Sequence, residues 1–224
     1  MEESMFTTLL TLPLFQGLSY DDVTRIVEST RLDFITLKEG DVLCRHDELC
    51  NNVYFILEGR IATRTPAADG QWAVEEQVPD HSVIGLNVLY GRRRTHAATC
   101  TALTTTRVMV VDKRTMGALF RFFEVMQLSA FNILTSELAE RSRRLWLPPT
   151  EDLEQRIIRF MLNHINRPAG PKRFEISMAL LGLYLGEDQR RISRALHSLE
   201  LENLLLLKRR AIEVPAFELL LKNT

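Results

Sequence analysis

The chain has 224 residues, 46% hydrophobic and 25% charged, with a formal net charge of -1. These values suit one large or two modest globular domains and do not by themselves nominate nucleic acid as a partner. No run of about 18 apolar residues occurs and the opening MEESMFTTLL is acidic, so neither a membrane span nor a secretory signal is expected. The three cysteines, Cys44, Cys50 and Cys100, form no tight pair and suit a reducing cytoplasm, the expected location.

In chain order, residues 13–30 (PLFQGLSYDDVTRIVEST) predict a helix begun by Ser19, with Val23, Ile26 and Val27 on one face. From Phe34 to Asp112 the rhythm shortens to runs such as FITL, VYFILEG, WAVEEQV and RVMVV, punctuated by Gly40, Gly59, Gly70 and Gly85. Many short strands between turn residues predict a compact all-β barrel or roll, with RTPAADGQW as a hairpin tip.

Helical spacing returns after Val111, with a short helix over 113–120 and an uninterrupted one over 124–145. Leu128, Phe131, Thr135, Leu138, Ser142 and Leu145 recur at gaps of 3, 4, 3, 4, 3. That heptad seam is expected to join two copies as a parallel homodimer, while Phe122, Phe123, Met126 and Ile133 can face the β-unit. Thr135 and Ser142 interrupt the seam with hydroxyls, either as tolerated small residues or as groups facing a ligand. Leu147-Pro148-Pro149-Thr150 ends the helix, because proline cannot continue the hydrogen-bond ladder. Thr150 is the expected N-cap of the next helix, with Leu153, Ile157, Phe160 and Met161 as its apolar stripe. The domain bounds are therefore read as 1–123, 124–147 and 148–224.

The stretch GEDQRRISRALHSLE (186–200) carries the most chemistry. Asp188 fits an N-cap and Gly186 the tight turn before it, while Ser177 caps a shorter helix ending near Leu185. Within that shorter helix, Leu180 or Leu183 should face outward if Leu181 and Leu185 face in. Ile192, Ala195, Leu196 and Leu199 form a core stripe, so Arg190, Arg191 and Arg194 must project elsewhere. An α-helix fits the major groove, where guanidinium forks match guanine O6 and N7. Gln189, Arg190 and Arg194 are the expected base readers; Ser177, Arg191 and Ser193 are expected on the DNA backbone. Downstream, NLLLLKRRAIEV reads as strand, turn, strand with Lys208, Arg209 and Arg210 at or near the tip, placed to grip phosphates. The plainer alternative is a solvated face whose arginines balance Glu187, Asp188 and Glu200. No nucleophile–base pair or metal cluster converges, so catalysis is not expected.

The order of these parts resembles the bacterial CRP/FNR superfamily of transcription regulators, over roughly residues 14–215. GDVLCRHDELCNNVYFILEGRI (40–61) is similar to its first β-roll signature, and GEDQRRISRALHSLE to its recognition helix. The resemblance implies an α+β chain: a cyclic-nucleotide-binding-like β-roll (jelly roll), a long dimerisation helix and a winged helix-turn-helix. It further implies a small-molecule or gas effector, a pseudo-palindromic double-stranded operator, a homodimer and RNA polymerase as partner, with no membrane. In the recognition helix the family's usual glutamate between the readers is here Arg190, so a different half-site is expected.

The family's phosphate-binding cassette aligns with IGLNVLYGRRRTH. Gly85, Arg94 and Thr95 match, but Leu86 replaces the glutamate that accepts from a ribose hydroxyl, which disfavours a cyclic nucleotide. Ser142 aligns near a helix position that reaches the effector. The family's iron–sulfur branch needs cysteines that this chain lacks before Cys44. Its heme-dependent gas sensors remain, for which His96, Cys100, His81 and Met126 are the candidate ligands. An effector-binding protein whose winged domain docks a protein partner is the alternative reading.

Overall fold

The computed structural model describes residues 2–222. Its elements are α1 (Glu2–Thr11), α2 (Tyr20–Ser29), β1 (Asp33–Leu37), β2 (Val42–Cys44), β3 (Asn52–Glu58), β4 (Ile61–Pro66), β5 (Ala73–Val78), β6 (Ser82–Ile84) and α3 (Leu86–Leu89). There follow β7 (Thr99–Ala102), β8 (Thr106–Asp112), α4 (Lys113–Phe122), α5 (Glu124–Leu145) and α6 (Leu153–Asn163). The chain ends in β9 (Lys172–Glu175), α7 (Met178–Leu185), α8 (Gln189–Leu201), β10 (Leu206–Lys208), β11 (Ala211–Val214) and α9 (Phe217–Lys222). Two compact units result: Met1–Ala62 with Val78–Glu140, and Thr63–Gln77 with Arg141–Thr224.

The first unit is a β-roll with helices. Its four-stranded sheet has the order β1-β8-β3-β6, all neighbours antiparallel. Alternation along the two central strands feeds two cores at once. Val53, Phe55 and Leu57 of β3 and Met109 and Val111 of β8 join the helical core with Leu9, Phe15, Ile26 and Met116. The intervening Tyr54, Ile56, Val108 and Val110 line a smaller core with Cys44, Cys100, Ile61 and Val78. A strand buried on both faces must read as a continuous apolar run, as VYFIL and RVMVV do.

Ser19 caps α2 as expected, in a reciprocal box. Its hydroxyl accepts from the Asp22 N–H at 3.1 Å and its own N–H donates to the Asp22 carboxylate at 3.1 Å. The Ser19 hydroxyl also donates to the Asp22 carboxylate at 2.7 Å, and this bond, followed by the one from the Ser19 N–H, holds the Asp22 carboxyl below its usual range. Helix α1 was not foreseen; it buries Leu9 at its C-terminal end. On α5, Met126 and Ala130 are buried in the helical core, while Leu128, Phe131 and Leu138 stay exposed at 58%, 54% and 68%.

In the second unit the sheet runs β10-β11-β9-β5-β4. The β4–β5 hairpin, read from sequence as part of the sensing domain, packs with the winged module here. Strand β5 pairs antiparallel with β9, with Val74 opposite Phe174 and Glu76 opposite Lys172. At the hairpin's tip, Trp72 is buried, its ring 5.3 Å from Phe160 and 4.8 Å from His164, centroid to centroid. Its indole N–H donates to the Tyr184 hydroxyl at 3.1 Å, which satisfies the polar end of a large apolar side chain.

Asp152, not Thr150, caps α6, accepting from the Glu154 N–H. Thr150 sits two residues earlier, where its hydroxyl accepts from the Asp152 N–H and donates to Gln155. At the other end of α6, buried Arg144 donates to the carbonyls of Leu162 (2.9 Å) and Ile165 (3.1 Å), groups a helix terminus leaves unmatched.

Candidate nucleic-acid interface and effector pocket

The helix-turn-helix is built from local rules. Ser177 caps α7 by accepting from the Leu180 N–H at 3.2 Å, and Gly186 ends it in the left-handed region at φ 66°. Asp188 then caps α8, accepting from the backbone N–H groups of Arg191 (3.0 Å) and Arg190 (2.8 Å), which keeps its carboxyl below the ordinary range. In α7 Leu181 is fully buried and Leu183 is 78% exposed, which settles the register of that apolar helix.

Helix α8 splits into two faces as its spacing requires. Ile192, Ala195, Leu196 and Leu199 are buried in the unit's core. Gln189, Arg190, Arg191 and Arg194 are exposed and Ser193 half-buried. An open concavity is lined by Asp188, Gln189, Arg190, Ser193 and Arg194, so the structure brings the expected base readers together.

The three arginines are not equivalent. The Arg191 guanidinium donates to Glu187 at 2.6 Å, and the other oxygen of Glu187 takes Arg156 at 2.6 Å. Among the described residues, the side chains of Arg190 and Arg194 have no hydrogen-bond or ion-pair partner, leaving two cations on one turn aimed at solvent. Arg191, expected on the DNA backbone, is engaged by Glu187, and the Ser177 hydroxyl accepts at the α7 cap while keeping its own O–H to donate. At the wing, Lys208 pairs with Ala211 across β10 and β11, and exposed Arg209 and Arg210 form the turn.

In the β-roll, Gly85 precedes α3 at φ 92°, and a Cβ there would meet the Asn52 carbonyl oxygen at 2.8 Å and the Cys50 sulfur at 3.2 Å. The chain can therefore pass only as glycine. Leu86, the first residue of α3, is 5% exposed and packs in the helical core. Arg94 and Thr95 lie next to each other and are half-buried. Their segment forms an isolated bridge, Thr95 opposite Leu49, braced by the Cys50 N–H donating to the Arg94 carbonyl at 2.8 Å and the His96 N–H donating to the Glu48 carbonyl at 2.9 Å. The Arg94 guanidinium has no hydrogen-bond or ion-pair partner among the described residues, so its charge is available to an anion. Exposed Ser142 belongs to the second unit.

The four candidate heme ligands do not converge. Exposed His81 shares a 2.6 Å hydrogen bond with the Thr11 hydroxyl. Met126 is fully buried in the helical core, whereas His96 and Cys100 are buried in the β-roll beside Cys44. The four therefore form no common ligand set: His81 is tied to Thr11, Met126 packs in the helical core, and His96 and Cys100 both lie against Cys44. Among the described residues no group of three or more His, Cys, Asp or Glu side chains is arranged to hold a metal ion, and no helix is long and apolar enough to cross a membrane.

Comparison with known proteins agrees with this geometry. Residues 34–121 match the cyclic nucleotide-binding domain family. The Thermus thermophilus catabolite activator protein superposes with a TM-score of 0.54 at 20% identity, over 94% of this chain and 97% of that one. The sensor domain of the transcriptional regulator DNR from Pseudomonas aeruginosa superposes with a TM-score of 0.51 at 17% identity, over 68% of this chain and 98% of that domain. No curated protein sequence matches. The chain thus shares the fold of the catabolite activator protein, and its residues 34–121 are similar to the cyclic nucleotide-binding domain family.

Proposed function

We propose that the protein is a homodimeric, sequence-specific DNA-binding transcription regulator controlled by a small anionic effector. The observation that carries this reading is the pair Arg190 and Arg194, exposed and unpartnered on a helix whose opposite face is core. Their forks suit guanine edges in the major groove, and Gln189 at the first turn suits adenine or a phosphate. The wing basics Lys208, Arg209 and Arg210 supply the sequence-independent hold on phosphates.

The exposed stripe Leu128, Phe131, Leu138 and Leu145 supports pairing of two α5 helices. Within it, the Thr135 hydroxyl donates to the Phe131 carbonyl at 2.6 Å, so this residue interrupts the seam without needing a ligand. Two copies related by a twofold axis would present two reading helices about one DNA turn apart.

The effector class follows from the roll. Arg94 and Thr95 offer a charge and a hydroxyl to a phosphate or carboxylate, while Leu86 leaves no acceptor for a ribose hydroxyl. Heme or nitric oxide as effector lacks support from the positions of His81, His96, Cys100 and Met126. The effector acts by binding one dimer arrangement more tightly than the other, which shifts their populations.

The test is selection of bound duplexes from a random-sequence pool, with and without a panel of phosphate- and carboxylate-bearing ligands. The reading expects a twofold-related, guanine-containing site. Recovery of sequences at random under every condition refutes it and favours the docking of a protein partner.

A further inference from the structure

Cys44 and Cys100 are opposite each other on the antiparallel strands β2 and β7. This pairing depends on a bulge. A regular register continuing from Val42 opposite Thr101 would put Leu43 against Cys100 and Cys44 against Thr99. The slip between Val42 and Cys44 brings the two cysteines level instead. Directly opposed residues of an antiparallel pair have Cα atoms about 4.5 to 5.5 Å apart. That lies inside the roughly 4.4 to 6.8 Å range that a disulfide spans. Both thiols are free and both join the small core with Ile56, Ile61 and Val108.

We propose that Cys44 and Cys100 form a dithiol that hydroperoxides oxidise to a cross-strand disulfide.

The surroundings divide the labour between the two sulfurs. Cys100 donates its S–H to Cys44, and buried His96 also hydrogen-bonds Cys44; together these outweigh burial and nearby Glu48 and bring the Cys44 thiol down to about 6. Cys100 keeps its proton, because that proton is the one shared with Cys44 and because its site is buried. Cys44 is therefore the attacking thiolate at neutral pH. Its sulfur forms a bond to one oxygen of the hydroperoxide as the O–O bond breaks, and the departing alkoxide takes a proton to leave as alcohol. The Cys100 sulfur next attacks the resulting Cys44 sulfenic acid. The S–S bond forms, the S–O bond breaks, and hydroxide leaves as water with the Cys100 proton. The two thiols lose two electrons and two protons, and the hydroperoxide is reduced to alcohol and water.

Access follows from topology. Strand β2 is three residues long and lies at the end of its sheet, so local fraying exposes Cys44 without unfolding the roll. Cys50 is a built-in control. It is fully buried, its S–H faces the carbonyl oxygens of Asn52 and Gly85, and burial pushes its thiol up.

The test treats the reduced full-length protein with tert-butyl hydroperoxide, alkylates it after denaturation and maps tryptic peptides by mass spectrometry. Cleavage after Arg45 separates Cys44 from Cys50. The expected product is a crosslink joining the Cys44 and Cys100 peptides, present in C50A, absent from C44A and C100A, with Cys50 alkylated throughout. Circular dichroism of each variant confirms that the fold persists, since alanine keeps a small apolar group at each site. The initial rate should level off above about pH 7 rather than climb toward an ordinary thiol's value near 8.5. Crosslinks through Cys50, sulfenic or sulfinic acid on Cys44 without a crosslink, or a rate still rising at about pH 8.5 overturn the proposal.

Discussion

The carboxylate of Glu76, on the β4–β5 hairpin, accepts the backbone N–H of Asn166 at 3.0 Å and its side-chain amide at 2.9 Å. It also accepts the Arg167 N–H at 3.0 Å and lies 3.9 Å from the Lys172 ammonium, all in a setting where Glu76 is 3% exposed. One acidic side chain thus fixes the turn that follows α6. Glu76→Ala strands these N–H donors and leaves Lys172, whose own pKa burial already pushes down, without its counter-charge. Removing one partner from such a buried pair costs about 3 to 5 kcal/mol. Urea denaturation followed through Trp72 fluorescence should show that loss; a variant within about 0.5 kcal/mol of the parent contradicts this account of the turn.

The close approach at the helix-turn-helix predicts a second defect. A Cβ on Gly182 would lie 2.5 Å from the carbonyl oxygen of Glu187, a backbone atom that cannot swing away. Gly182→Ala should therefore push α7 from the turn before α8 and destabilise the winged module by about 1 to 3 kcal/mol, even though alanine is the better helix former. Thermal unfolding measures it, and an unchanged midpoint contradicts the geometry.

Asp188 predicts a pH dependence. Its folded pKa lies below the unfolded value of 3.8 because the Arg191 and Arg190 N–H groups donate to the carboxylate. The stabilisation is fully present above the unfolded value and is lost as pH falls through the lowered folded one. The gap in melting temperature between the parent and Asp188→Ala should be constant from neutral pH down to about pH 5 and close below about pH 4. A gap that persists in acid assigns the cap to something other than the carboxylate.

The seam on α5 predicts an oligomer. Leu138 is 68% exposed, so Leu138→Asp should leave each copy folded. In a parallel pair it sets carboxylates against each other in an apolar seam. Light scattering should report a dimer for the parent and a monomer for the variant, with unchanged far-ultraviolet dichroism; a monomeric parent, or a dimeric variant, contradicts the seam.

What could be read in advance followed from local physics. The Ser19, Ser177 and Asp188 caps, the α8 core stripe and the exposed arginines each depend on residues within one or two turns, and their spacing states them. The missed features are long-range. Nothing near WAVEEQV says that β5 pairs with β9, because its apolar alternation suits any sheet edge. Thr150 is the cap expected from the sequence, yet Asp152 takes that place, because both residue types accept from N–H groups and only the folded backbone chooses between them. Glu187 enters the sequence reading only as one counter-charge of the plainer solvated-face alternative; in the structure it pairs with Arg191 alone of the three arginines, and with Arg156 reaching it from α6.

The most direct test of the DNA-reading face is fluorescence anisotropy on a selected duplex and a scrambled one, across salt concentrations, for the parent, Arg190→Ala, Arg194→Ala and Arg191→Ala. The account predicts that Arg190→Ala and Arg194→Ala each shrink the preference for the selected duplex by about tenfold or more, while Arg191→Ala, already held by Glu187, changes it little. Equal losses on both duplexes for all three variants, or no loss at Arg190 and Arg194, would contradict the assignment of these two guanidinium groups to base reading.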